Sequence, residues 1–300
     1  MLCGGEGVRI DILSLKWYPF GKMNIKGNID IDRLIKDALQ APDERAKTII
    51  LNRYCLGVPS KRTLADLGNE YNLTRERIRQ IEAAALTAIR RRLENDAELI
   101  RLSELIHSYL DDTGNLRRAD LVARDFAVLL KKNSQGEEEL NHKLHFLARV
   151  LGEPTITEGN EEWHPCWYNK VEAYDAAKSL VSHLLKIKEH DFDKFLKTAA
   201  SKFNLPDTVI VDHVSISKRF MVGPYGDLGA DHWPEVNPKT VRDKAHLVLV
   251  KEHRPIHFRE IAELVNKISH KERAPATVHN ELIKDPRFVL VGRGTYTLNG

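Results

Sequence analysis

The chain has 300 residues, of which 42% are hydrophobic, 30% charged and 7% aromatic, which excludes collagen-like and wholly disordered chains and leaves enough apolar material for ordinary cores. Cys3, Cys55 and Cys166 are far apart and form no Cys-x-x-Cys pair, which argues against a disulfide framework or a cysteine-rich zinc module and favours a reducing, cytoplasmic setting. The formal charge of +3 is a sum of unlike parts: residues 45–92 carry 11 basic against 4 acidic side chains, residues 93–250 carry 20 against 26, and residues 251–300 carry 9 against 6. A concentrated basic stretch is the electrostatic footprint of a phosphate-backbone partner, because neutralising phosphates releases condensed counterions.

Residues 1–22 precede a second methionine, Met23, match no pattern and are read as a disordered extension or a misassigned start. From there the spacing predicts a helix capped by Asp30 with Ile31, Leu34, Ile35, Ala38 and Leu39 inward, then a second from Glu44 to Tyr54 stopped by Gly57 and Pro59. Thr63 and Asp66 nearly match a capping box for a short helix ending at Tyr71. Asn72-Leu73-Thr74 is a tight connection, and Thr74 caps a longer helix from Arg75 to Leu93 with Ile78, Ile81, Ala85, Leu86 and Ile89 inward. Two helices joined by three residues, the second far more basic, is the pattern in which the second enters the major groove.

The run Thr-Arg-Glu-Arg-Ile-Arg-Gln-Ile-Glu-Ala, Thr74 to Ala83, resembles the recognition helix of region 4 of the primary sigma factors of bacterial RNA polymerase. The resemblance implies that Arg75, Glu76, Arg79 and Gln80 face a −35-like promoter element, with core polymerase as protein partner, double-stranded DNA as ligand and a nucleoid-associated location. It also implies basic activator-contacting positions that this chain fills with Ala84 and Thr87, and nothing before Arg45 resembles the strand-melting region 2. The chemistry of the four agrees: they form an adjacent strip opposite Ile78 and Ile81, and Arg, Glu and Gln can pair with guanine, cytosine and adenine edges. Thr74, Arg77, Arg90, Arg91 and Arg92 are read as DNA-backbone contacts or solvated side chains.

From Asp243 the chain reads helix, helix, helix and two strands, Phe288–Val291 and Thr295–Leu298, a winged-helix order. The segments beginning Arg254-Pro-Ile-His-Phe and Arg287-Phe-Val-Leu-Val-Gly-Arg-Gly-Thr-Tyr resemble the HARE-type domain, a winged-helix module of a bacterial polymerase accessory subunit and of chromatin and restriction-linked proteins. Arg293 stands at the wing tip, read as a backbone contact or a solvated turn residue. Thr208, Val209, Val222 and Gly223 repeat as Thr277, Val278, Val291 and Gly292 at an offset of 69, so residues 171–236 are expected to form a diverged winged helix. A further step back aligns Phe126 with Phe195, ahead of a hairpin from Pro154 to Trp167, and extends the pattern to residues 97–170. The acidic middle and the wing turn Gly223-Pro224-Tyr225-Gly226, which lacks a basic tip, suit protein contact or spacing better than DNA.

The expected fold is therefore mainly α: a helix-turn-helix domain at 28–96, tandem winged-helix domains at 97–170 and 171–236, and a HARE-type winged helix at 243–300. No phosphate loop, His-Glu-x-x-His or Gly-x-Ser-x-Gly is present, and no acidic residue stands two before a Lys. His142, His145, His164 and Cys166 are read as packing residues and not as zinc ligands, and Trp163, Trp167 and Trp233 as core. The expected function is sequence-specific DNA binding in transcription initiation, with no enzyme activity, cofactor, metal, membrane or small-molecule substrate; the alternative is a polymerase-binding adaptor.

Overall fold

The computed structural model describes residues 29–130, 136–187, 190–269 and 271–299; the expected extension at 1–22 lies outside them. The described residues are mainly helical with small antiparallel sheets. They divide into two compact units, one containing 29–181 and 204–218, the other 182–203 and 219–299.

The first unit opens with α1 (Ile31–Ala38), whose N-terminus is fixed by Asp30 accepting the Arg33 N–H at 3.0 Å, and α2 (Glu44–Tyr54), capped in the same way by Asp43 and Ala46 at 2.8 Å. Cys55 ends α2 in the left-handed region at φ 53°. There follow α3 (Leu64–Tyr71), α4 (Arg75–Leu93) and α5 (Ala97–Asp112). Next come β1 (Leu116–Arg118), α6 (Ala119–Leu129), α7 (Glu137–Leu151), β2 (Thr155–Ile156) and β3 (Cys166–Tyr168). The three strands form an antiparallel sheet in the order β1-β3-β2, with both Leu116 and Thr155 opposite Tyr168. From α5 to β3 the order is thus helix, strand, helix, helix, hairpin.

That order recurs along the chain. α8 (Val171–Leu184), α9 (Phe192–Phe203), α10 (Asp207–Ser215) and the hairpin β4 (Phe220–Val222) with β5 (Leu228–Ala230) repeat it without the first strand. In the second unit α11 (Val241–Glu252), β6 (Ile256–His257), α12 (Phe258–Lys267), α13 (Pro275–Lys284), β7 (Phe288–Gly292) and β8 (Thr295–Leu298) repeat it in full, with sheet order β6-β8-β7. The third helices start at Glu137, Asp207 and Pro275, close to the period read from the sequence. The strands β1 and β6, three and two residues long, carry too little alternation to be read from the sequence.

Two expected boundaries need correction. Residues 28–96 and 97–170 do not have separate cores: a single cluster joins Leu34 of α1, Ile50 of α2, Ile89 of α4, Leu102 of α5, Phe126 of α6, Leu147 of α7 and Trp167 of β3. Arg90 of α4 also donates to the Val150 carbonyl of α7 at 2.6 Å. Residues 171–236 likewise do not form a unit of their own, because 204–218 belong with the first unit while α9, β4 and β5 belong with the second.

The reason for the second departure is a buried ionic cluster. Arg117 of β1 is fully buried; it pairs with Asp212 of α10, donates to Asp125 at 2.8 Å and to the Tyr109 hydroxyl at 3.1 Å, and Tyr109 donates to Asp125 at 2.6 Å. Beside it the His213 Nε2–H donates to the Gly114 carbonyl at 3.2 Å, and burial pushes the imidazole down to about 4, so it is neutral. α10 is therefore tied to β1 by groups that could not be left unpaired away from water.

In the second unit Val248, Ile261, Val265, Val278, Leu282 and Tyr296 form the core of the C-terminal winged helix, and Thr240 with Asp243 makes the capping box that starts α11. α13 buries only Val278 and Leu282.

Candidate nucleic-acid interface

α3 and α4 form a helix-turn-helix whose connection is fixed by three local devices. Thr63 and Asp66 complete a capping box at the start of α3, as their spacing suggests. Asn72 ends α3 in the left-handed region at φ 52°, where an Asn side chain is tolerated. Thr74 then caps α4 by accepting the Arg77 N–H at 3.1 Å. Gly68 is buried at the crossing: a Cβ there would lie 2.8 Å from the Leu73 carbonyl oxygen, so the turn closes only over a glycine. Ile49 of α2, Leu67 of α3 and Ile78 of α4 pack as a small core behind the turn. Arg53 adds a polar fastening, donating to the Arg62 carbonyl at 2.8 Å and lying 3.6 Å from Glu82 of α4.

With Ile78 turned inward, Arg75, Glu76, Arg79 and Gln80 are all exposed along the first turns of α4. They are not independent. Glu76 accepts from Arg79 Nε at 2.8 Å and Nη2 at 2.7 Å, and from Gln80 at 3.4 Å, while Arg77 donates to Gln80 at 3.2 Å. The Arg79 hydrogen bonds hold the Glu76 carboxyl below its usual range, and Glu76 in turn raises Arg79. The pairing is two-point, Nε and Nη2 of Arg79 against the Glu76 carboxylate, on an exposed face.

The C-terminal arginines of α4 are used differently from one another. Arg90 holds the end of α7, and Arg92 donates to the Asp37 carbonyl at 2.9 Å and to Gln40 at 2.6 Å, so both close the C-terminal end of α4 onto neighbouring helices; Arg91 is exposed. Arg293 is exposed in the turn between β7 and β8.

Residues 38–91 match the family described as Sigma-70, region 4. Over 62 residues the chain is 42% identical to the RNA polymerase sigma factor RpoD of Helicobacter pylori strain ATCC 700392 / 26695, covering 20% of this chain and 9% of that protein. A stretch of 57 residues is 42% identical to the RNA polymerase principal sigma factor HrdD of Streptomyces viridifaciens, covering 19% of this chain and 17% of the relative. The chain thus spans less than a fifth of the length of these relatives. The region 4 match takes in α2, α3, most of α4 and the whole exposed strip.

His145 stacks edge-on to Tyr54 with centroids 5.7 Å apart, Cys166 is buried with its Sγ 3.2 Å from the Thr157 hydroxyl, and the backbone N–H of His164 donates to the Ile216 carbonyl at 2.8 Å. Among the described residues no three His, Cys, Asp or Glu side chains are placed to share a metal ion. Trp167 and Trp233 are buried, and Trp163 bridges to Ser217. No helix of the described residues is long and apolar enough to cross a membrane.

Proposed function

We propose that this chain is a non-catalytic, sequence-specific DNA-binding protein of transcription initiation, in which α4 lies in the major groove and Arg75, Glu76, Arg79 and Gln80 read a −35-like promoter element. The observation that carries the reading is the exposed, mutually hydrogen-bonded strip at the N-terminal end of α4, within the segment similar to sigma region 4. Arg75 and Arg79 supply donors for guanine, Glu76 an acceptor for the cytosine amino group, and Gln80 a donor and acceptor for adenine. Thr74 and Arg77 flank the strip at backbone height, and the N-terminal end of α4 favours a phosphate through its free N–H groups. The C-terminal winged helix adds Arg293 at its wing tip as a second backbone contact, and core RNA polymerase is the protein partner, as the sigma relatives suggest.

Selection of duplexes from a promoter library by the full chain tests this. A defined motif is expected, with the double variant Arg79→Ala, Gln80→Ala losing discrimination at the positions those side chains read, at about 1–3 kcal/mol per contact. Selection of no motif by the wild-type protein, or an unchanged motif for the double variant, would refute base reading by α4.

A further inference from the structure

Beside the exposed strip the first unit holds a cavity of about 280 Å³ that brings together side chains far apart in the chain. Arg79 forms one wall, Arg53 and Lys61 come from α2 and the loop after it, and Arg149 comes from α7. Against these four cations stand two carboxylates, Glu82 and Glu158. His145, also in the lining, adds no charge, because burial pushes it down to about 4. Because Arg79 is also paired with Glu76 beside the cavity, one positive charge is left beyond these ion pairs.

The pairs are arranged so that the cations are held in place and remain reachable. Glu158 accepts from Lys61 at 2.9 Å and from Arg149 at 3.4 Å, and Arg149 also donates to the Ile156 carbonyl at 3.4 Å. Burial opposes ionisation of Glu158, yet the Lys61 ammonium keeps its carboxyl below the usual range. Lys61 and Arg149 nonetheless leave 40% and 38% of their side chains exposed, next to a base-reading arginine. A recognition helix seated in the major groove has phosphate backbones along both walls, so cations flanking its reading strip meet phosphates and not base edges.

We infer that Arg149 and Lys61, positioned by Glu158, are phosphate-backbone contacts of the same DNA interface, so that the first winged-helix segment lends a cation to the helix-turn-helix it is fused with. This rests on the reading of α4 as the DNA-reading helix. α7, whose core-facing side is consumed by α1, α2 and α4, then serves DNA binding from its edge, through one side chain. Glu158 acts as a positioning residue whose negative charge also restrains the affinity.

The test is the salt dependence of binding of the full chain to its selected duplex and to a random duplex of equal length. Arg149→Gln is expected to weaken both by the same factor, leaving their ratio unchanged, and to reduce the slope of log K against log salt by about 0.9, the amount for one lost phosphate contact. Glu158→Gln is expected to do the reverse, tightening both duplexes severalfold at low salt, an effect that a folding defect does not produce. Circular dichroism checks that the variants are folded. A wild-type slope in folded Arg149→Gln, a change in the ratio of the two affinities, or no tightening in Glu158→Gln overturns the inference. Failure of the wild-type protein to bind any duplex instead overturns the underlying reading of α4, so the two failures are distinguishable.

Discussion

α7, α10 and α13 occupy the same place, as third helix before a hairpin, in the recurring element order and meet different surroundings. α13 buries Val278 and Leu282, four residues apart, and leaves Thr277, Asn280 and Lys284 exposed. α10 is buried from Val209 to Ser215 without interruption, and α7 buries Leu140, Leu144, Phe146, Leu147, Ala148 and Val150. A helix with one apolar stripe can keep a wet face, whereas one that is apolar around most of its circumference has to be covered. α4 resembles α13 in this respect, burying Ile78, Ala85, Ile89 and Leu93 along one side only. The winged-helix order therefore does not by itself make a nucleic-acid reader; a third helix can be spent on holding the protein together. In this chain the apolar side of α7 backs the helix-turn-helix and α10 is tied to β1, whereas α4 and α13 each keep a broad exposed face.

The contrast breaks most directly at Arg117. If α10 is a structural helix held by the buried ionic cluster, Arg117→Met strands Asp125 and Asp212 away from water and costs about 3–5 kcal/mol, read as a lower midpoint of urea unfolding. The double variant Arg117→Met, Asp212→Asn should recover part of that loss, since it removes one stranded charge together with its partner. A wild-type urea midpoint for the single variant would mean that packing alone places α10, and that the ionic cluster is not what sets it apart from α13.

Much of this was legible in the residues. The caps at Asp30, Thr63 and Thr74 set helix starts that the structure reproduces, because a cap is a local hydrogen bond between residues two or three apart. The repeat was legible for the same reason: helix and hairpin signals recur along the chain, and the third helices fall near the expected spacing. The fusion of the helix-turn-helix with the first winged-helix segment was not legible. It depends on Leu144 and Leu147 sharing one core with Ile50 and Ile89, and one apolar stripe looks the same whichever partner covers it. The cavity residue Arg149 is not legible either: a lone arginine between Ala148 and Val150 gives no signal until Lys61 and Glu158 are brought beside it. Arg90 and Arg92 read as part of a basic run, and only the structure shows that they hold helix ends.

A pH titration sharpens the comparison at α10 with a middle-sized effect. His213 is almost fully buried and its folded value, about 4, lies below the unfolded value near 6.5, so the unfolded chain binds the proton more tightly. Stability from this group is complete above pH 6.5 and is lost as the pH falls towards 4, by up to about 3 kcal/mol at 1.36 kcal/mol per unit. Urea midpoints measured from pH 7 to pH 4.5 should fall accordingly, and His213→Gln should flatten that limb while being less stable at pH 7. An acid limb as steep in the variant as in the wild type would place the pH-sensitive group elsewhere.

The smallest effect is expected at the wing of the C-terminal segment, where the contrast predicts a side chain kept for a ligand and not for the fold. Gly294 holds the turn at φ 69°, and a Cβ there would lie 2.8 Å from His257 Nε2, so the backbone and not Arg293 determines the wing's shape. Arg293→Ala should therefore leave the unfolding free energy within about 0.5 kcal/mol of the wild type. Its consequence should instead appear in DNA binding, as a salt slope smaller by about 0.9 with the sequence preference set by α4 unchanged. A loss of stability without a change in slope would make Arg293 a structural residue and would place the wing with α10, not with α4.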